Sequence, residues 1–147
     1  MRARNNYAVT LGNGLGDWEG YTAQFRLLVP ASTHARGASH PETLRYRGSL
    51  AVGLAQTGET EAARREREAV LAGNTVQLGA DHRTTLYSKR ALALHHKKDL
   101  GDAATGVAML REVVAACARN PELGREYKDP DLPRSFAAEL AEWERAL

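Results

Sequence analysis

The chain has 147 residues, with 20 lysines and arginines against 18 acids, a net charge of +2 and a pI of about 8.9. That is length enough for one domain with a buried core, and too little charge for nucleic-acid binding to be the default, because that footprint is both large and clustered. No run of eighteen apolar residues would cross a membrane, no hydrophobic stretch follows the charges of Met-Arg-Ala-Arg-Asn-Asn, and Cys117 is the single cysteine, so neither a disulfide nor a cysteine-based zinc site is expected and a cytoplasmic setting is.

Alanine and leucine are abundant and isoleucine is absent. Strands favour β-branched residues, so this usage predicts helix throughout. In chain order, residues 1–39 read as a first repeat unit, with Asn6-Tyr-Ala-Val-Thr-Leu11 in its first helix and Gly16-Asp-Trp-Glu19 opening its second. Phe25, Leu28 and Val29 give that second helix an apolar face, but Pro30 removes a backbone donor in mid-helix and predicts a kink or a break. Gly12-Asn-Gly-Leu-Gly16 lacks a following Lys-Ser/Thr and a preceding strand, so it reads as a loosened turn rather than a phosphate loop.

A second unit, 40–81, opens on the phrase Gly37-Ala-Ser-His-Pro-Glu-Thr-Leu44. The phrase returns as Gly79-Ala-Asp-His-Arg-Thr-Thr-Leu86, 42 positions later. A fixed step of this size marks a repeat architecture. The first helix of this unit is predicted over about 41–56, with Ser39 and Glu42 at capping-box spacing and Pro41 in the first turn. Ser49-Leu-Ala-Val-Gly-Leu54 aligns with the segment at Asn6, and Gly58-Glu-Thr-Glu61 with the turn at Gly16. The second helix, about 59–78, carries a charge run laced by pairs such as Glu61–Arg65 and Arg64–Glu68, over a thin buried stripe of Ala63, Val70, Leu71, Asn74 and Leu78. So thin a stripe needs neighbours stacked on both sides.

In the third unit, 82–130, Asp81 stands where Ser39 caps, Ala91-Leu-Ala-Leu-His-His96 repeats the first-helix core, and Gly101 repeats the turn with one extra residue, as in unit one. Val107, Leu110, Val113, Val114 and Cys117 recur at helical spacing up to Asn120-Pro121. A longer loop from Glu122 to Pro133 follows, and a terminal helix, 133–147, presents Phe136, Leu140 and Trp143 as a closing apolar stripe.

The opening phrase, the step of 42, the small residue in the middle of each first helix (Ala8, Ala51, Ala93) and the turn glycine together resemble tetratricopeptide repeats, in the longer form of kinesin light chains and of bacterial arrays. The resemblance covers almost the whole chain and implies an all-α protein: a right-handed α-solenoid of antiparallel helix pairs with about three and a half repeats, whose first helices line a concave groove for peptides or partner proteins. Arg83 in place of proline, Arg67 where Phe25 and Leu110 stand in the other units, and a degenerate fourth unit depart from the pattern.

If the first helices line a groove, spacing exposes Arg2, Asn5, Asn6 and Val9, then Arg45, Ser49 and Val52, then Tyr87, Arg90, Leu94 and Lys97. The resemblance implies that Asn6 holds a bound peptide backbone, for which an amide both donates and accepts. The arginines would take carboxylates, so an acidic peptide or a C-terminal carboxylate is the expected partner. No cofactor, metal or membrane is expected. Adjacent His95 and His96 point about 100° apart on a helix and do not share a metal easily. His40 and His82 are expected to bond between repeats, Cys117 to be buried, and Lys89, Arg90, Lys97 and Lys98 to form a solvated basic cluster without the aromatics of a nucleic-acid site. The expected function is a non-catalytic scaffold or adaptor, with a ligand-sensing module (Tyr7, Tyr87 and Trp143 facing a pocket) as the alternative and a helical-scaffold enzyme as a weaker one. The abrupt start, without a cap on its first helix, is expected of a segment of a longer array or of an open end that self-associates.

Overall fold

The computed structural model describes residues 2–120, 123 and 132–147. Seven helices make up the described chain: α1 Arg2–Val9, α2 Trp18–Arg36, α3 Pro41–Gln56, α4 Thr60–Leu78, α5 Arg83–Lys98, α6 Ala103–Arg119 and α7 Leu132–Arg145, with a π-helical turn at Thr10–Gly14 after α1. No strand occurs among the described residues. The chain forms two compact units, 1–77 and 78–147.

The repeated phrase turns out to be helix punctuation. Gly37 and Gly79 take φ of 98° and 91°, where a Cβ would be strained. His40 and His82 are the N-caps, each Nδ1 accepting from a backbone amide two residues on (Glu42 and Thr84, both at 3.1 Å). This corrects the capping roles expected of Ser39 and Asp81, and gives the two histidines a local task where an inter-repeat bond was expected. An imidazole nitrogen at the cap position reaches the orphan amide that a serine or aspartate oxygen usually takes. Thr43, Leu44, Thr85 and Leu86 then point inward and are buried.

The turns between paired helices carry the extra residue visibly. In the second repeat Glu59 N–H closes on Leu54 C=O, five residues back, behind Gly58 at φ 81°. The matching bonds in the first and third repeats span six residues, Asp17 N–H to Leu11 C=O and Asp102 N–H to His96 C=O. The first repeat absorbs the surplus in its π-helical turn, which is how one inserted residue is housed in a helix. Asp17 and Asp102 then cap α2 and α6, accepting from Gly20 N–H and Thr105 N–H.

Unit one buries Phe25, Leu28, Tyr46, Leu50 and Ala63 around a ladder of rings, Trp18–Tyr21–Phe25–Tyr46. A buried Ser32–Thr43 hydroxyl pair (2.8 Å) joins α2 to α3. Of the kink or break expected at Pro30 the break does not occur, since helix α2 runs on from Trp18 to Arg36. Pro30 lies on the exposed side, and the acceptor it leaves idle belongs to exposed Arg26, a place open to solvent. On α4, Ala63 and Asn74 are buried as expected and Val70 and Leu71 half so, but Leu78 is exposed. Arg64, rather than Arg65, takes Glu61 (3.0 Å), and it also takes Glu68 (2.5 Å).

Unit two buries Leu86, Val107, Leu110, Val113 and Cys117 together with Phe136 and Trp143 of α7. Leu123 joins this core; the rest of the expected loop, as far as residue 131, lies outside the described residues. Gly106 lets α6 meet α5 closely, since a Cβ there would sit 2.7 Å from the Ala93 carbonyl oxygen.

Candidate functional site

On unit one the expected contact residues sit on α1 and α3. Asn6 is exposed and Asn5 half-buried; the side chain of Arg2 lies outside the described residues. The Asn6 carbonyl accepts from Thr10 Oγ1 at 3.0 Å, while its side-chain amide has no partner among the described residues. Arg45 is exposed, lies over the Tyr46 ring at 5.3 Å and touches Glu42 at 3.7 Å. Its neighbour Glu42 accepts from Tyr46 O–H at 2.8 Å and pairs with Arg36 at 2.9 Å. The Tyr46 hydroxyl first, and the nearby arginines after it, hold that carboxyl below its usual range. Burial in turn pushes the Tyr46 phenol up. Ser49 is half-buried and lies near Tyr21 of α2. Burial raises the Tyr21 phenol, and the Ser49 hydroxyl partly offsets that rise.

The third-repeat candidates are engaged within the chain. Tyr87 meets Phe136 edge-on with centroids 5.5 Å apart, and Arg83 lies 5.1 Å from its ring centre. Arg90 grips Glu139 with two bonds, Nε at 2.6 Å and Nη2 at 2.8 Å, and this carboxylate raises the guanidinium further above its already high range. Lys97 places its ammonium 4.6 Å from the Trp143 ring centre. Arg111 of α6 adds a bond to Glu144 at 2.7 Å. Phe136, Glu139 and Trp143 all belong to α7, so Tyr87, Arg90 and Lys97 hold the closing helix on α5. Sequence reasoning found the apolar stripe of α7 and missed Glu139 and Glu144. The signal was present: they lie three and eight residues after Phe136, on the flank of the same helical face.

The basic cluster dissolves in the same way, since Lys89 pairs with Glu112 and only Lys98 is exposed with no partner among the described residues. His95 is buried with Nδ1 2.6 Å from Asp99 Oδ2, whereas His96 faces Asp102 at 3.4 Å, so the adjacent rings serve different acids. Cys117 is buried, and burial, with Asp81 nearby, pushes its thiol up, away from a reactive thiolate. Gly12 packs beneath Tyr21 and Trp18, in a turn and not in a ligand cradle. Tyr7 and Tyr87 are exposed and Trp143 is core. Among the described residues no three histidines, cysteines or acids gather as metal ligands, and no helix is long and apolar enough to cross a membrane.

Adjacent helix pairs with small residues at their contacts, glycine turns between partners and an amphipathic last helix give the chain the all-α helical-repeat fold of tetratricopeptide-like structures. Two similar solved structures carry the nearly identical TPR-like repeats assigned to a Podosopora anserina kinesin light chain. The first is 24% identical, covers 99% of this chain and 73% of its own, and has a TM-score of 0.73. The second, a single-site variant of those repeats, is 21% identical, covers 97% and 70%, and scores 0.71. BtubC (BKLC) from P. vanneervenii is 13% identical with a TM-score of 0.71, over 98% of this chain and 59% of its own. No protein-family model and no curated protein matches the sequence.

Proposed function

We propose that the chain is a non-catalytic cytoplasmic scaffold that takes a protein or peptide segment on the first helices of its repeats, with Asn5, Asn6, Arg45 and Ser49 as the contact residues of unit one. The observation that carries this reading is a contrast in commitment. The Asn6 amide and most Arg45 donors are exposed and unspent among the described residues, whereas Arg90 of α5 is taken by Glu139 and Lys97 lies over Trp143, both on α7. A guanidinium resting on an aromatic ring is pre-positioned, and loses less freedom on taking a carboxylate than a free chain would. An acidic segment or a C-terminal carboxylate is therefore the partner class, with the Asn6 amide left to bond the peptide backbone.

The test is an array of acidic and free-carboxylate peptides probed with wild type, Asn6→Ala/Arg45→Ala and Arg90→Ala. The double variant should lose at least about tenfold in affinity with unchanged helicity, the equivalent of about 1.4 kcal/mol. Arg90→Ala should lose stability and keep its binders. Equal binding by wild type and the double variant would remove the reading.

A further inference from the structure

A cavity of about 220 Å³ opens in unit one between the loop at Ala38-Ser39, Arg47 of α3, and Ala69, Ala72, Gly73 and Val76 of α4. Unit two has its counterpart, of about 190 Å³, at the same place in the repeat. The correspondence is residue by residue. Adding 42 carries Ala38, Ser39 and Arg47 onto Ala80, Asp81 and Lys89; adding 43, for the longer turn of the third repeat, carries Ala69, Ala72, Gly73 and Val76 onto Glu112, Ala115, Ala116 and Arg119.

The chemistry of the two notches differs. In unit two the rim is spanned by ion pairs, Lys89–Glu112 and Arg119–Asp81. In unit one the matching positions are Ser39, Ala69 and Val76, so no ion pair spans the rim, the walls are apolar, and Val76 stands 82% exposed beside the opening. The one charge in this lining is Arg47. Its Nη1 forms an ion pair with Glu66, an acid outside the lining, at 2.8 Å, and its remaining donors have no partner among the described residues. Gly73, in the same lining, lets α4 pack closely on α3, since a Cβ there would meet the Leu44 side chain at 2.6 Å.

We propose that the unit-one notch is a second contact for the peptide partner, taking one branched aliphatic or aromatic side chain into the cavity and the adjoining carboxylate onto Arg47. The inference rests on the peptide-binding reading above and deepens it. A smaller apolar cavity, of about 150 Å³, holds a benzene ring in another protein, so the volume admits one such side chain. A guanidinium with idle Nε and Nη2 donors beside an apolar pocket matches a hydrophobic residue that carries its own carboxylate, and neither an amide nor a bare acid supplies both halves. The notch of unit two, where the rim itself supplies an acid to each cation, serves as an internal comparison.

The experiment is an amide-resolved NMR titration of the full chain with N-acetyl-leucine, N-acetyl-leucinamide and N-acetylglycine. Wild type should show saturable shifts at Ala38, Ser39, Ala72, Gly73 and Val76 with N-acetyl-leucine alone, with a Kd on the order of 1–10 mM for so small a probe. Ala69→Glu/Val76→Arg writes the unit-two residues into unit one at exposed or half-exposed helix positions; it should keep its helicity and weaken binding of the probe at least about fivefold. Absence of saturable shifts, equal shifts with the amide, or shifts at Ala80 and Ala115 instead would overturn the proposal. Any of these leaves the contact at Asn6 and Arg45 to stand or fall on the peptide array.

Discussion

Arg90 and Glu139 show what a single pair does here. The pair is two-pronged and half-shielded, so its loss exceeds the few tenths of a kcal/mol typical of an exposed ion pair, and residual solvent keeps it below a fully buried one. Arg90→Ala should cost about 1–2 kcal/mol in urea unfolding, and Arg90→Lys should recover only part of it, because an ammonium lacks the planar fork. A cycle with Glu139→Ala should show coupling; strict additivity would mean that the pair is ornamental. Asp102 adds a pH signature. Its bonds with Thr105 hold its carboxyl low, so its contribution is complete above the ordinary carboxylate range and fades as pH falls through its folded value. Asp102→Asn keeps a capping oxygen and removes the charge, so the stability gap between wild type and variant should narrow from about pH 7 to about pH 3. A gap that stays constant or widens on acidification would contradict the assignment. At this scale the sequence was read unevenly. The burial of Thr43, Leu44 and Ala51 follows from their place in the repeat. The capping histidines were misassigned because cap preferences favour serine and aspartate, which stand one residue earlier in the two phrases.

Helices were more legible than their ends. The predicted 41–56 coincides with α3, and α4 begins one residue past the forecast, because proline, turn glycines and a sustained apolar stripe act together there. At Pro30 only the expected break fails, since a helix interior normally excludes proline but tolerates it where solvent can bond the freed carbonyl. The seat of α7 on α5 was illegible because long-range pairing of Arg90 with Glu139, 49 residues apart, has no periodic trace. Two glycines separate helix propensity from packing. Alanine gains about 1 kcal/mol over glycine in a helix interior. At Gly48 nothing lies within 4 Å of an added Cβ, so Gly48→Ala should stabilise by about 0.5–1 kcal/mol. At Gly106 the Ala93 carbonyl stands in the way, overpacking costs about 1–3 kcal/mol, and Gly106→Ala should come out destabilised. Thermal midpoints that move in the same direction for both variants would show that propensity alone is at work.

Over the whole molecule, the repeat keeps a helix-building kit and varies what it displays. Gly37, His40, Thr43 and Leu44 recur in the next repeat at the same four positions with the same tasks of turn, cap and core, whereas Arg45 becomes Tyr87 and Gly48 becomes Arg90. That division explains why fold class is readable from a single chain while the partner is not: the recurring residues are structural, and the informative ones do not recur. It also explains why spacing alone nominated Tyr87, Arg90 and Lys97, since periodicity selects a face without telling whether another helix of the same chain lies on it. The most direct measurement of the central claim is an NMR titration of the full chain with the best acidic peptide from the array, following the side-chain amide of Asn6 and the Nε–H groups of Arg45 and Arg90. Saturable shifts at Asn6 and Arg45 with Arg90 unmoved are predicted; movement of Arg90 with Asn6 and Arg45 still would contradict the account.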